Sequence, residues 1–144
     1  MKGAYAVGLT AIFIVLGLET ADAQSTTLQN IKQRNEAALI KDIEYTNKVC
    51  ESNLTVKFNW TAVQEAALKH YSAEGYCGAA LEGIRRVCVD KAGKDAVRQQ
   101  IKSVTCGFGP ERAISLKNGS VDYKINFNSA NDGDFVSEYL QNQL

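Results

Sequence analysis

The sequence AISLKNGSVDYKINF, residues 113–127, decides how the second half of this chain folds. Its centre, Asn118-Gly119, separates two runs of β-forming residues, and an Asn-Gly pair in that setting is typical of a type I′ hairpin. The returning run alternates apolar with polar residues, which predicts a strand with one buried face. Its apolar members are Val121, Tyr123, Ile125 and Phe127. The stretch therefore predicts two antiparallel strands.

Two further strands are predicted upstream of the hairpin. Residues 54–60 alternate with period two, and residues 104–108 form a β-type run that Gly109 and Pro110 end. Helical patterns surround these strands at residues 28–47, 61–71, 76–89 and 94–101, and in a C-terminal segment with an inward stripe of Phe135, Val136, Tyr139 and Leu140. The order predicts an α+β fold, with a small antiparallel sheet packed against helices.

Two local patterns refine the predicted helices. Thr61 and Gln64 have the spacing of a capping box, which would open the helix at residues 61–71. Gly78 and Gly83 lie inside the helix at residues 76–89, where glycine is unfavourable by about 1 kcal/mol relative to alanine. We expect these glycines to permit close approach of the helix to the sheet.

The N-terminus has the pattern of a secretory signal peptide. Lys2 precedes an uncharged run from Ala4 to Leu18, and Ala21-Asp22-Ala23 places small residues before a cleavage site after Ala23. The run is shorter than the roughly 20 apolar residues that a membrane-spanning helix needs. Residues 1–23 are therefore predicted to be a cleaved signal. The mature chain is expected to be soluble, without a membrane span, and periplasmic or secreted.

The mature chain is predicted to contain an N-terminal helix or arm, residues 24–49, and a disulfide-bonded domain, residues 50–144. The helix precedes the first cysteine, and Asn35 interrupts its apolar stripe. It either packs on the domain or forms a mobile arm. Packing is favoured, because a helix of this length with an imperfect stripe is marginally stable alone in water.

The four cysteines, Cys50, Cys77, Cys88 and Cys106, are predicted to form two disulfides, as an even number in an exported chain indicates. Cys77 and Cys88 share one predicted helix, where they would lie about 16 Å apart, beyond the roughly 7 Å that a disulfide allows. The pairing Cys50–Cys77 with Cys88–Cys106 is favoured because both loops stay short. The pairing Cys50–Cys88 with Cys77–Cys106 remains open.

Composition and motifs give little support for catalysis. Sixteen basic and sixteen acidic residues balance, and loss of Lys2, Glu19 and Asp22 with the signal leaves a net charge of +1. That balance gives no electrostatic case for binding nucleic acid. His70 is the only histidine, and the sequence contains neither G-x-S-x-G nor C-x-x-C. No catalytic residue, metal ligand or cofactor is therefore predicted.

The acidic turn at residues 131–134 lacks the ligand spacing of an EF-hand. We instead expect Asp132 or Asp134 to cap the last helix. Asn53, Asn59 and Asn118 begin N-x-S/T triplets, which can carry glycans in a eukaryotic secretory pathway and usually have no such role in a bacterium.

Three residues near predicted turns are candidate contact residues: Trp60, Tyr76 and Arg112. Arg112 ends the loop at residues 107–112, which an inhibitor could present to its target enzyme.

The segments GYCGAALEGIRRVC (75–88), IKSVTCGFG (101–109), ISLKNGSVDYKINF (114–127) and NDGDFVSEYLQNQL (131–144) resemble secreted or periplasmic four-cysteine proteins of Gram-negative bacteria, a group without an established function. The resemblance covers residues 50–144 and implies an envelope or extracellular setting. It implies no activity and no site residues.

These observations predict an exported, non-catalytic binding or interaction module of the cell envelope, whose partner is a protein or another envelope component. One alternative is a small secreted hydrolase that uses carboxylates such as Glu65, Glu74, Glu82 or Glu111. Another is an inhibitor of an envelope-targeting enzyme.

Overall fold

A computed structural model describes residues 19–144, with side chains from residue 26 onward. Its elements in chain order are α1 (Glu19–Cys50), β1 (Thr55–Phe58), a 3₁₀ turn (Ala67–Lys69), α2 (Ala73–Val87), α3 (Lys91–Gln100), β2 (Ser103–Phe108), β3 (Ala113–Lys117), β4 (Ser120–Ile125) and α4 (Asp132–Gln141). The predicted signal peptide lies outside the described residues except for its last five, which belong to α1. Within the described chain, no helix is both long and apolar enough to cross a membrane.

The four strands form one mixed sheet in the order β1-β2-β4-β3. The predicted α+β class and hairpin are confirmed: Asn118 and Gly119 both have positive φ, and Lys117 pairs with Ser120 across the turn. The prediction of a wholly antiparallel sheet is wrong, because β1 pairs with β2, and β2 with β4, in parallel. Only β3 and β4 are antiparallel.

The strand order follows from the apolar content of β4. Its inward residues Val121, Tyr123 and Ile125 are all buried, whereas the inward residues of β3, Ile114 and Leu116, are only half-buried. Strand β4 therefore takes the inner position beside β2, and β3 takes the edge. The connection at residues 109–112 consequently crosses over the end of β4.

One face of the sheet and the helices enclose a single core. Its largest fully buried side chains come from α1, α2, α3, α4 and the two central strands: Tyr123, Leu39, Leu81, Ile84, Ile101, Ile125, Leu140, Val97, Val104, Val121 and Val136. The opposite face of the sheet carries polar residues, including Lys57, Thr105 and Lys117. Among residues 19–144, the result is a two-layer fold with one uncovered sheet face.

The N-terminal helix packs on the domain, as favoured from the sequence. Arg85 of α2 donates to Asp42 of α1 at 2.9 Å and to Thr46 Oγ1 at 2.8 Å. Asn35 Oδ1 accepts the backbone amide of Glu74 at 2.7 Å, in the first turn of α2. Asn35 thus interrupts the apolar stripe because it satisfies an amide that has no partner inside its own helix.

The disulfides join Cys50 to Cys88 and Cys77 to Cys106. The favoured pairing is therefore wrong, and the alternative that remained open is correct. Helices α1 and α2 run in the same direction, so their last turns meet and bring Cys50 to Cys88. Cys77 lies at the other end of α2, over β2. The entropic cost of loop closure changes only slowly with loop length, so a difference in loop length does not decide which cysteines pair.

Residues 61–71 do not form the predicted helix. Ala62 has φ of +61°, which a right-handed helix excludes, and only the 3₁₀ turn is regular. The amide of Thr61 instead bonds Asn59 Oδ1 at 3.0 Å. Helix α3 starts three residues earlier than predicted, because Asp90 caps it by accepting the Gly93 amide at 2.8 Å.

Gly78 and Gly83 of α2 face helices rather than the sheet, contrary to expectation. A Cβ on Gly78 would lie 2.6 Å from Asp42 Oδ2 of α1, and one on Gly83 would lie 2.7 Å from Gly133 O of α4. Gly83 thus lets the backbones of α2 and α4 approach closely.

Replacing Gly83 with alanine should lower the free energy of unfolding by about 2 kcal/mol, because overpacking outweighs the gain in helix propensity. Gly75→Ala is the matched control in α2, since its Cβ would meet only Ser72 at 3.6 Å. That control should stabilise by about 0.5 kcal/mol. Urea unfolding measures both variants, and equal effects would contradict the close packing of α2 on α4.

Removing either disulfide should lower the free energy of unfolding by about 4 kcal/mol, since each closes a loop of 29 to 38 residues. Replacement of Cys50 and Cys88 by alanine, and separately of Cys77 and Cys106, should each lower the melting temperature sharply. Dithiothreitol should reproduce the loss in the native chain and have no effect on a variant lacking all four cysteines. A melting temperature unchanged by reduction would refute the disulfide assignment.

Candidate functional site

The carboxyl ends of β1, β2 and β4 lie at one edge of the sheet, because these three strands are parallel. In open sheets with parallel strands, ligands bind preferentially in the crevice beyond these ends. Three irregular segments converge there: residues 59–72, 109–112 and 126–131. Together they enclose a cleft of about 410 Å³.

The connection between β2 and β3 forms one wall of the cleft where it crosses β4. Asn126, which follows β4, donates from Nδ2 to Pro110 O at 2.5 Å and accepts the Asn128 amide on Oδ1 at 2.8 Å. The Gly109 amide donates to Ile125 O at 3.1 Å. One amide side chain therefore ties two of the three segments together and holds the wall in place.

An aromatic cluster of six residues underlies this edge: Phe58, Trp60, Tyr71, Tyr76, Phe108 and Phe127. Phe127 is its centre. The Tyr71 ring stacks on Phe127 at 5.2 Å between centroids, and Phe108 contacts Phe127 at 5.7 Å. Tyr71 is its most exposed member, with 43% of its surface exposed.

The cleft is lined both by apolar surface and by polar side chains that make no hydrogen bond to any described residue. Tyr71, Phe108 and Phe127 supply aromatic surface. The side-chain amides of Gln64 and Asn128 and the Tyr71 hydroxyl make no hydrogen bond within the described residues. None of the eleven lining residues is charged. An arrangement of aromatic faces with a few neutral donors and acceptors suits an uncharged portion of a ligand.

Backbone strain occurs at the cleft. Ala62, one of the lining residues, has φ of +61°, a conformation that is uncommon for residues other than glycine. Such strain costs of order 1 kcal/mol and clusters at functional sites. Its location here is consistent with a binding role for residues 59–72.

The three candidate contact residues, Trp60, Tyr76 and Arg112, are not among the residues that line the cleft, and each makes bonds within the chain. Trp60 Nε1 donates to Glu36 at 2.7 Å, so it links β1 to α1. The Tyr76 hydroxyl donates to Phe127 O at 2.8 Å, and burial, with Asp132 and Tyr71 nearby, raises its pKa. Both residues belong to the aromatic cluster, and these bonds hold their rings in place within it.

Arg112 likewise has an internal role. It donates to Ala130 O at 2.6 Å and to Asp132 at 3.3 Å, and its guanidinium lies 4.1 Å from the centre of the Phe135 ring. It thus connects the β2–β3 segment with the start of α4.

Neither Asp132 nor Asp134 caps α4, contrary to expectation. Asp132 is instead buried. Its carboxylate accepts bonds from the Tyr123 hydroxyl, Ser129 Oγ at 3.0 Å and Arg112. Residue 131 is the N-cap and makes no side-chain capping bond, while Asp134 pairs with Arg86. The Asp132 network therefore anchors residues 126–131, which form the second wall of the cleft.

The described residues contain no group of three or more histidine, cysteine or acidic side chains arranged to hold a metal ion. The four acids considered for hydrolysis lie outside the cleft lining. Glu82 pairs with Arg86 at 2.7 Å, and Glu74 accepts Ser72 Oγ at 3.1 Å. None of these four carboxylates therefore lies where it would contact a ligand in the cleft.

Sequence reasoning did not place Gln64, Tyr71 or Asn128 among the candidate contact residues. The available signal was topological: residues that directly follow parallel strands share one edge of a sheet. The prediction of an antiparallel sheet removed that signal. Comparisons with protein families, with curated proteins and with solved structures find no match to this chain.

Tyr123→Phe should destabilise the protein by about 1–3 kcal/mol at neutral pH, because Asp132 loses a buried bond. Burial and the bond to Asp132 raise the Tyr123 pKa above its ordinary value near 10. The folded chain thus retains a proton that the unfolded chain releases, so this contribution holds below about pH 10 and is lost above it.

Urea unfolding at pH 7 and pH 10.5 measures this effect. The native chain should lose more stability between these values than Tyr123→Phe does. Tyr45→Phe, at an exposed tyrosine whose hydroxyl makes no hydrogen bond to any described residue, should lose as much stability as the native chain does. Equal losses in all three would contradict the buried bond.

Proposed function

We propose that this protein is an exported, non-catalytic binding module of the cell envelope, and that the cleft at the carboxyl ends of the parallel strands is its binding site. The observation that carries the proposal is the exposed Tyr71 ring beside unpaired neutral polar groups, on walls that internal hydrogen bonds hold in place. A preformed site of this kind binds at a low cost in conformational entropy.

Export is supported by three observations that agree. The two disulfides are typical of proteins that fold outside the reducing cytoplasm. The N-terminal pattern is that of a signal peptide, and residues 50–144 resemble secreted or periplasmic proteins. Residues 1–30 fused to alkaline phosphatase lacking its own signal should yield active enzyme in the periplasm. Activity confined to cell lysates after reoxidation would overturn the export proposal.

Binding at the cleft can be tested with a matched pair of tyrosine variants. Tyr71→Ala should reduce cosedimentation with the polysaccharide, peptidoglycan or membrane fraction of a Gram-negative envelope by at least tenfold, because the ligand loses its aromatic contact. Tyr45→Ala, which removes an even more exposed tyrosine outside the cleft, should bind as the native chain does. Binding that Tyr71→Ala leaves intact, or no binding to any fraction, would contradict the proposal.

The same experiment separates binding from hydrolysis. A binding module leaves the bound fraction unchanged, whereas a hydrolase releases soluble fragments that mass spectrometry detects. Fragments released by the native chain and not by a Glu→Gln variant would favour the alternative of a carboxylate hydrolase.

A further inference from the structure

A second groove adjoins the cleft, and the segment at residues 67–71 separates the two. Tyr71 lines both cavities. The groove, of about 540 Å³, runs between that segment and α1, and its lining differs in charge from that of the cleft. A ligand longer than the cleft would therefore pass Tyr71 and enter the groove.

The groove carries an excess of positive charge. Arg34 and Lys69 line it, together with His70 and one acid, Glu74. The side chains of Arg34 and Lys69 have no ion-pair or hydrogen-bond partner among the described residues, unlike those of Arg85, Arg86 and Arg98. Two exposed cations without partners are available to an anionic group on a ligand.

The hydrogen bonding at the cleft favours a saccharide over a peptide. Several backbone groups of its walls are already paired within the chain and are not available to an extended peptide, including the Gly109 amide, Pro110 O and the Asn128 amide. Side-chain amides such as Gln64 and Asn128 combine a donor with an acceptor, which matches neighbouring hydroxyls of a sugar. A flat sugar face suits the exposed Tyr71 ring.

We propose, building on the binding function above, that the ligand is an acidic oligosaccharide. A neutral sugar stacks on Tyr71 in the cleft, and the carboxylate or sulfate of a neighbouring sugar lies in the groove beside Arg34 and Lys69.

The test uses the purified, disulfide-bonded protein and an array of glycans that bear uronate, sulfate or lactyl carboxylate groups. Each acidic glycan is paired with a neutral counterpart, in which the acid is reduced, esterified or absent. The protein should bind acidic glycans about tenfold more tightly than their counterparts at low ionic strength, and added salt should reduce the difference.

Three variants locate the charge effect. Arg34→Ala combined with Lys69→Ala should weaken binding of the best acidic glycan about tenfold and leave its neutral counterpart unaffected. Glu74→Gln should strengthen acidic binding two- to threefold. The control, Lys57→Ala with Lys117→Ala, removes the same charge from the uncovered sheet face and should have no effect beyond a small change common to all glycans.

The outcomes separate this inference from the proposed function. If neutral and acidic glycans bind equally well and Tyr71→Ala abolishes the binding of both, the acidic assignment is overturned. The cleft then remains the proposed binding site. If no glycan binds, but an acidic peptide such as hexaglutamate binds and Tyr71→Ala abolishes that binding, the saccharide assignment is overturned. Absence of any Tyr71-dependent binding to glycans, peptides or envelope fractions would overturn both.

Discussion

The attachment of α2 at both of its ends is the constraint on which the rest of the structure depends. Cys77, near its start, is bonded to Cys106 in β2, and Cys88, directly after its end, is bonded to Cys50 at the end of α1. The helix is therefore held against the sheet and against α1 at once. Its third neighbour, α4, approaches at Gly83, where a Cβ would collide with Gly133 O and the Val136 side chain.

The cleft follows from this arrangement and from the position of β4. Because β4 lies between β2 and β3, the short connection at residues 109–112 must cross above the end of β4, and Asn126 bonds to it there. The opposite wall is held by Asp132, whose buried carboxylate is matched by a hydroxyl from β4, a hydroxyl from its own loop and a guanidinium. A buried charge with several donors is costly to displace, and it makes the wall a defined surface.

Features that depend on local chemistry were predicted correctly from the sequence. The hairpin follows from Asn118-Gly119, because few other residue pairs adopt positive φ at both positions. The alternation along β4 is preserved in its burial. By contrast, the spacing of Thr61 and Gln64 is a weak local preference, and the segment that contains them is shaped by its contacts at the end of the sheet. Tyr71, the exposed ring of the cleft, lies in this segment, so the site could not be assigned from local patterns.

The sequence by itself determined the secondary-structure types of most of the chain, the hairpin, the α+β class and the impossibility of a Cys77–Cys88 bond, because these depend on local conformation and on distances along one helix. Tertiary structure alone decided the disulfide partners, the parallel pairing of β1, β2 and β4, and the union of Gln64, Tyr71, Phe127 and Asn128 in one cleft. These features depend on which helices lie side by side and which strand takes the inner position. Those choices depend on how much apolar surface each arrangement of the helices and strands buries. That quantity cannot be obtained from any short stretch of sequence.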